Sequence, residues 1–166
     1  MDALAQHRRV ITVDYQGVGG SSGTTADSVE QMAREILAFT TALGLDSFDL
    51  LGFSIGSMVA QRVALARPTA VGKVVLTSTA PEGAAGLHNW DPNVTSAIGG
   101  PQTTAEGYLS VFFTASGASR SAGQETLQRI YSRTQDRDVE TTWATRSPNT
   151  MRWPGGACPT TPSSKR

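Results

Sequence analysis

Cysteine is almost absent from this chain: Cys158 is the only one in 166 residues, which excludes an internal disulfide and any cysteine cluster for zinc. Histidine is nearly as scarce, with only His7 and His88, so chemistry that needs an imidazole has two places to find one. Charge is low at 17%, and 14 basic residues offset 14 acidic ones. Without a net field, neither nucleic acid nor an anionic membrane surface is favoured, and a small molecule becomes the expected partner. No stretch reaches the roughly 18 apolar residues of a membrane span, and Met1 to Arg9 has no signal-peptide core. A cytoplasmic protein is the resulting expectation. Acidic residues stop at Glu140, while Arg146, Arg152, Lys165, Arg166 and four of the eight prolines follow it. Residues 147–166 have neither helical nor strand periodicity and are expected to form a disordered tail.

What is present alternates. Val10-Ile11-Thr12-Val13 is a β-branched run expected to form a buried strand, ending in a loop with Gly17, Gly19, Gly20 and Gly23. Asp27 with Glu30 resembles a capping box, and Val29, Met32, Ala33, Ile36, Leu37 and Leu43 keep one apolar stripe until Gly44. Phe48 to Leu51 reads as a second strand broken by Gly52, Ser54 to Arg67 as a helix ended by Pro68, and Lys73 to Thr77 as a third strand. The pattern predicts an α/β fold: a short parallel sheet with right-handed crossovers and helices on both faces. From Pro81 onward the chain reads as mostly helical, with Tyr108 to Phe113 open between helix and strand and Gln124 to Asp136 helical. The expected divisions are an α/β core at 1–85, a helical segment at 86–146 and the tail at 147–166.

The chemical signal is Gly52-Phe53-Ser54-Ile55-Gly56, a G-x-S-x-G pattern between a predicted strand and a predicted helix. Such a turn holds the serine in a strained backbone state, so small residues two before and two after it are expected to avoid collision with neighbouring chain. Ser54 would stand above the carboxyl end of the sheet as a nucleophile. The positive end of the following helix would face any anion formed there, and the amide of Ile55 would donate to it. The competing reading is an ordinary strand-to-helix turn in which Ser54 caps the helix. For the glycine loop the competitor is a dinucleotide cradle, but Ser22 stands where G-x-G-x-x-G needs its third glycine. The next strand also ends in Gly52-Phe53-Ser54 rather than in an acid for a ribose.

Val13-Asp14-Tyr15-Gln16-Gly17-Val18-Gly19-Gly20-Ser21 matches the D-x-x-G-x-G-x-S loop that precedes the elbow in the α/β-hydrolase superfamily. Together with Leu43 to Leu45, Phe48 to Gly56 and Lys73 to Pro81, the chain resembles that superfamily over roughly residues 8 to 85. The resemblance implies a partial α/β-hydrolase fold with a helical lid segment, structural roles for Asp14 and Gly17, and no cofactor or metal. A serine at the elbow implies esterase, thioesterase or amidase chemistry on a small acyl-bearing substrate, through an acyl-enzyme. The superfamily order is serine, acid, histidine. His7 precedes Ser54 and reads as solvated; His88 follows it but sits where a lid begins. Asp91, Asp136 and Asp138 follow Ser54 without ending a recognisable strand. The second oxyanion donor would lie before Met1, with a strand that the family places between those of Val10 to Val13 and Phe48 to Leu51. These gaps suggest a truncated hydrolase with a frameshift near Arg146. The alternative is a non-catalytic remnant or binding protein of the same part-fold. Oligomeric state is not legible.

Overall fold

In the computed structural model, residues 2–84, 91–98 and 104–135 are described. The elements are α1 (Asp2–Ala5), α2 (Val29–Ala42), β1 (Phe48–Phe53), α3 (Ile55–Ala66), β2 (Val71–Thr77), α4 (Pro92–Ile98), α5 (Ala105–Phe112) and α6 (Gly117–Ser132). His88, Asp136, Asp138, Cys158 and the expected tail at 147–166 lie outside the described residues.

Strands β1 and β2 pair in parallel, with Leu50 opposite Val74 and Phe53 opposite Thr77. The first of them extends beyond its expected end: Gly52 does not break it, and the ladder runs on to Phe53. A parallel pair needs a crossover longer than a hairpin, and α3 is that crossover, closed by Arg67 and Pro68 as the proline requires. The core lies between α2, α3 and one face of the strands. Val29, Met32 and Ala33 of α2 meet Met58, Val59 and Val63 of α3, while Phe48, Leu50 and Val71 close the cluster from the sheet. Val29 and Val63 are fully buried, and each such side chain contributes about 1.5 kcal/mol or more on leaving water.

Three expectations need correction. Val10 to Val13 belongs to no strand among the described residues and joins no ladder, and Ile11 and Val13 are exposed. β-branched sequence favours the extended state, but a strand exists only through a neighbour's hydrogen bonds. The cap of α2 falls one residue later than Asp27: Ser28 is extended at its backbone and accepts from the Gln31 amide at 3.3 Å. A serine oxygen meets the same orphan donor that an aspartate would, so the motif marked the helix start but not the atom. Helices on both faces of the sheet are not seen among the described residues either. Leu51, Phe53 and Val75 alternate onto the face away from α3 and remain 50–56% exposed.

Beyond Pro81 the described segments are helical, and the ambiguous stretch from Tyr108 lies in α5 up to Phe112. Thr104 and Ser116 cap α5 and α6 by accepting from Gly107 at 3.0 Å and Ser119 at 3.3 Å. The two helices approach closely at Gly123, where a Cβ would stand 2.5 Å from Leu109 Cδ2, and Leu109 of α5 and Leu127 of α6 are buried.

Candidate active site

The end of β1 passes directly into α3, and Ser54 is the single residue between them. Its φ of 52° and ψ of −123° lie in a region that non-glycine residues rarely adopt, at a cost of about 1–3 kcal/mol. Such a conformation persists only where its surroundings dictate it. The Ser54 amide donates to the Thr77 carbonyl at 3.0 Å, continuing the β1–β2 ladder by one residue, and the Ser57 amide donates to the Ser54 carbonyl at 2.9 Å to start the helix. The backbone is thus held from both elements at once.

Ser57 locks the arrangement. It is fully buried, and its hydroxyl lies 2.6 Å from the Gly52 carbonyl and 2.8 Å from the Thr77 carbonyl, so one proton is shared between two acceptors. The same oxygen accepts from the Thr77 amide at 3.1 Å, and Thr77 Oγ1 donates to the Gly52 carbonyl at 3.0 Å. One turn further along α3, Gln61 Nε2 reaches Thr79 Oγ1 at 3.0 Å and the Ala80 carbonyl at 3.1 Å, and Arg62 pairs with Glu82. The loop leaving β2 is therefore tied to the helix that follows the elbow. Sequence reasoning passed over Ser57, Gln61 and Thr77, although a polar residue on the apolar stripe of a helix is the available signal for Ser57. Ser57→Ala is expected to lower stability by about 1–3 kcal/mol, because the Gly52 carbonyl loses its buried donor and the part-buried Thr77 amide its acceptor; urea denaturation followed by circular dichroism measures this.

Gly52 and Gly56 part company here. A Cβ on Gly52 would stand 2.4 Å from the Gly56 carbonyl oxygen and 2.6 Å from Ser57 Cα, so the strand approaches the helix at a distance only glycine allows. A Cβ on Gly56 would meet nothing within 4 Å, and the collision expected there is not found.

The Ser54 side chain is exposed and makes no capping hydrogen bond to α3. That argues against the ordinary reading of the turn, in which the hydroxyl would accept from a first-turn amide. The amide of Ile55 belongs to the first turn of α3, where N–H groups have no partner within the helix and carry its positive end. An anion beside Ser54 Oγ would meet that end.

The remaining candidates are not gathered at Ser54 by the described residues. His7 is exposed in the turn after α1. Asp91 is also exposed and accepts from the Asn93 amide at 2.7 Å at the start of α4. Asp14 is structural: its Oδ2 accepts from the Gly20 amide at 2.9 Å, and Ser21 Oγ donates to its carbonyl at 2.8 Å. Gly17 and Gly19 take φ of 71° and 58° to close this loop, and a Cβ on Gly19 would overlap the Asp14 carboxylate. A carboxylate at the centre of the loop weighs against a phosphate there on electrostatic grounds. Among the described residues no cluster of three or more His, Cys, Asp or Glu could hold a metal ion, and no helix is long and apolar enough to cross a membrane.

A strained serine stands between a parallel strand and its crossover helix, preceded by a glycine that the helix backbone almost touches, which is the strand–turn–helix context that the G-x-S-x-G pattern calls for. The chain belongs to the α/β hydrolase fold family, whose sequence model matches residues 1–161. Among curated relatives, a protein named carbamate hydrolase RutD from Rhizobium rhizogenes is 35% identical over 78 residues, covering 46% of this chain and 30% of its own length. A pimeloyl-[acyl-carrier protein] methyl ester esterase from Vibrio atlanticus is 30% identical over 143 residues, covering 80% of this chain and 54% of its own. Of solved structures, an α/β hydrolase fold protein from Chitinophaga pinensis superposes with a TM-score of 0.70 at 37% identity, covering 82% of this chain and 50% of that one. The matched stretch thus spans about a third to a half of these relatives.

Proposed function

We propose that the chain carries the nucleophile part of a serine hydrolase that cleaves small esters, thioesters or amides through an acyl-enzyme on Ser54. The observation that supports this most is the backbone of Ser54, held at φ 52° with its hydroxyl exposed and free of the capping bond a structural serine would make. In the proposed reaction Ser54 Oγ attacks the acyl carbon and loses its proton to a base, the carbonyl oxygen becomes an oxyanion, and the Ile55 amide donates to it. Collapse expels the alcohol, thiol or amine, which takes up a proton, and water then releases the acid from the serine. The relatives fit this class: one is named for hydrolysis of a carbamate and one for hydrolysis of a methyl ester, both acyl bonds. The base and the acid are not assigned among the described residues. In the same reading α4 to α6 form a lid, the matched length reflects part of a longer hydrolase, and the setting is cytoplasmic.

Exhaustive treatment with a serine-directed fluorophosphonate, followed by peptide mass spectrometry, tests the assignment. The adduct is expected on the peptide bearing Ser54 and is expected to vanish in Ser54→Ala, because its hydroxyl is exposed and makes no capping bond at the start of α3, whereas the Ser28 and Ser116 hydroxyls are engaged in capping α2 and α6. Adducts scattered over several serines, or none at Ser54, would favour a binding protein or remnant that keeps the fold without its chemistry.

A further inference from the structure

Among the described residues, the non-glycine residues with a positive φ are Ser54 at 52° and Ser78 at 51°. The β1–β2 ladder puts them side by side. Phe53 stands opposite Thr77, and the Ser54 amide donates to the Thr77 carbonyl at 3.0 Å, a bond that the parallel register makes when Ser54 lies opposite Ser78. Neighbouring strands lie about 4.8 Å apart, so a group bound to Ser54 is within reach of Ser78.

Ser78 is held in its state by its neighbours. On one side Thr77 is fixed to Ser57 and Gly52; on the other Gln61 Nε2 reaches Thr79 Oγ1 and the Ala80 carbonyl. Ser78 itself is exposed, and its hydroxyl makes no hydrogen bond to a described residue. Left-handed backbone suits glycine or asparagine, and a serine there without a local bond gains nothing that offsets the strain. Strain of this kind clusters where a ligand is held, and Ser78 shares it with the proposed nucleophile beside it.

The surroundings of Ser78 narrow its role. Residues 78–84 contain no helix, so no helix N-terminus stabilises an anion there as α3 does at Ser54, and Ser78 is not a second nucleophile. The oxyanion proposed at Ser54 is directed to the first turn of α3. A group across the ladder then meets the acyl chain or the leaving group, and a hydroxyl suits a heteroatom rather than hydrocarbon.

Resting on the reading of Ser54 as nucleophile, we propose that Ser78 Oγ contacts the substrate and donates a hydrogen bond to the heteroatom of the leaving group. As the bond from the acyl carbon to that atom breaks, its electron pair passes to the atom that Ser78 contacts, and Ser78 keeps its proton. Sulfur is a weak acceptor, so the contact favours esters over thioesters.

Two phosphonate probes with the same phosphonyl group, one releasing p-nitrophenolate and the other p-nitrothiophenolate, test this on the intact chain. With either probe a bond forms from Ser54 Oγ to phosphorus, the bond from phosphorus to the leaving atom breaks with its electron pair, and the serine proton passes to water. Rates of adduct formation at Ser54 are read by peptide mass spectrometry in the native chain, Ser78→Gly and Ser78→Ala. In both variants the ratio of the oxygen-probe rate to the sulfur-probe rate is expected to fall about fivefold, as loss of one hydrogen bond implies. Glycine suits the backbone at this position, so the urea midpoint of Ser78→Gly is expected not to fall, which separates the contact from a structural role. An unchanged ratio, including equal slowing of both probes, would overturn the proposal, as would a fall in one folded variant without the other. If one variant fails to fold, the other decides. Absence of any Ser54 adduct in the native chain would remove the reading of Ser54 and this proposal with it, whereas Ser54 adducts with an unchanged ratio remove Ser78 alone.

Discussion

Gly52→Ala is expected to destabilise the fold by about 3 kcal/mol, and Gly56→Ala to stabilise it by about 0.5–1 kcal/mol, although the two glycines occupy matching places in one motif. The new methyl at position 52 would lie 2.4 Å from the Gly56 carbonyl oxygen, 2.6 Å from Ser57 Cα and 2.7 Å from the Gly56 carbonyl carbon. All three neighbours are backbone, so no rotamer change relieves the contact. Strand β1 and helix α3 would have to move apart. That movement would stretch the bonds from Ser57 Oγ to Gly52 and Thr77, which hold Ser54 in its strained state. At position 56 the methyl enters open space on the first turn of a helix, and replacing glycine there removes backbone freedom from the unfolded chain. Urea midpoints of the two variants and the parent, at unchanged m-values, measure the difference. Equal midpoints would mean that the close approach at Gly52 relaxes at little cost.

The contrast between these glycines shows where sequence reading stops. A G-x-S-x-G string specifies which positions need a small residue if the elbow forms, but not how near α3 lies at each. That distance follows from the packing of Met58, Val59 and Val63 on Val29, Met32 and Ala33. Local signals read well. The run at Phe48, the stop at Pro68 and the stripe on α2 each depend on neighbours a few residues away, and the elements appear where those signals stand. Val10 to Val13 failed for the opposite reason. Its strand would be defined by a partner, and the residues themselves carry only a preference for extended backbone. The burial of Ser57 is likewise set by the Thr77 strand end, 20 residues away in sequence. His88, Asp136 and Asp138 stay where the sequence left them, since they lie outside the described residues.

The sheet face opposite α3 bears on stability as well as on chemistry. Parallel sheets are normally covered on both faces, because their strands carry apolar residues on both. Leu51, Phe53 and Val75 follow that composition, yet each is at least half exposed among the described residues. The elbow is therefore supported from the α3 side by a packed core and from the other side by bare apolar surface. Interactions that fix Ser54, the Ser57 and Thr77 bonds above all, fall on the supported side.

Cleavage of p-nitrophenyl acetate by the chain is expected to exceed that by Ser54→Ala by no more than about tenfold. In a serine protease, removing either the nucleophile or the base lowers turnover by about a millionfold, because the hydroxyl is a weak nucleophile until its proton has a destination. No described residue supplies that destination here. His7 is exposed in the turn after α1, and the Ser54 hydroxyl has no hydrogen bond to a described group. Among the described residues what remains is the Ile55 amide at the start of α3, and a single oxyanion donor is worth about a hundredfold to a thousandfold when the pocket around it is ordered. Exposure of Ser54 to water reduces even that, since the same dipole acts more weakly in a high dielectric. A parent rate more than about a thousandfold above Ser54→Ala would show that the serine is activated after all. Parallel assay of His88→Ala would then locate the base: loss of the rate in both variants assigns it to His88, whereas loss in Ser54→Ala alone shows that the proton leaves by another route.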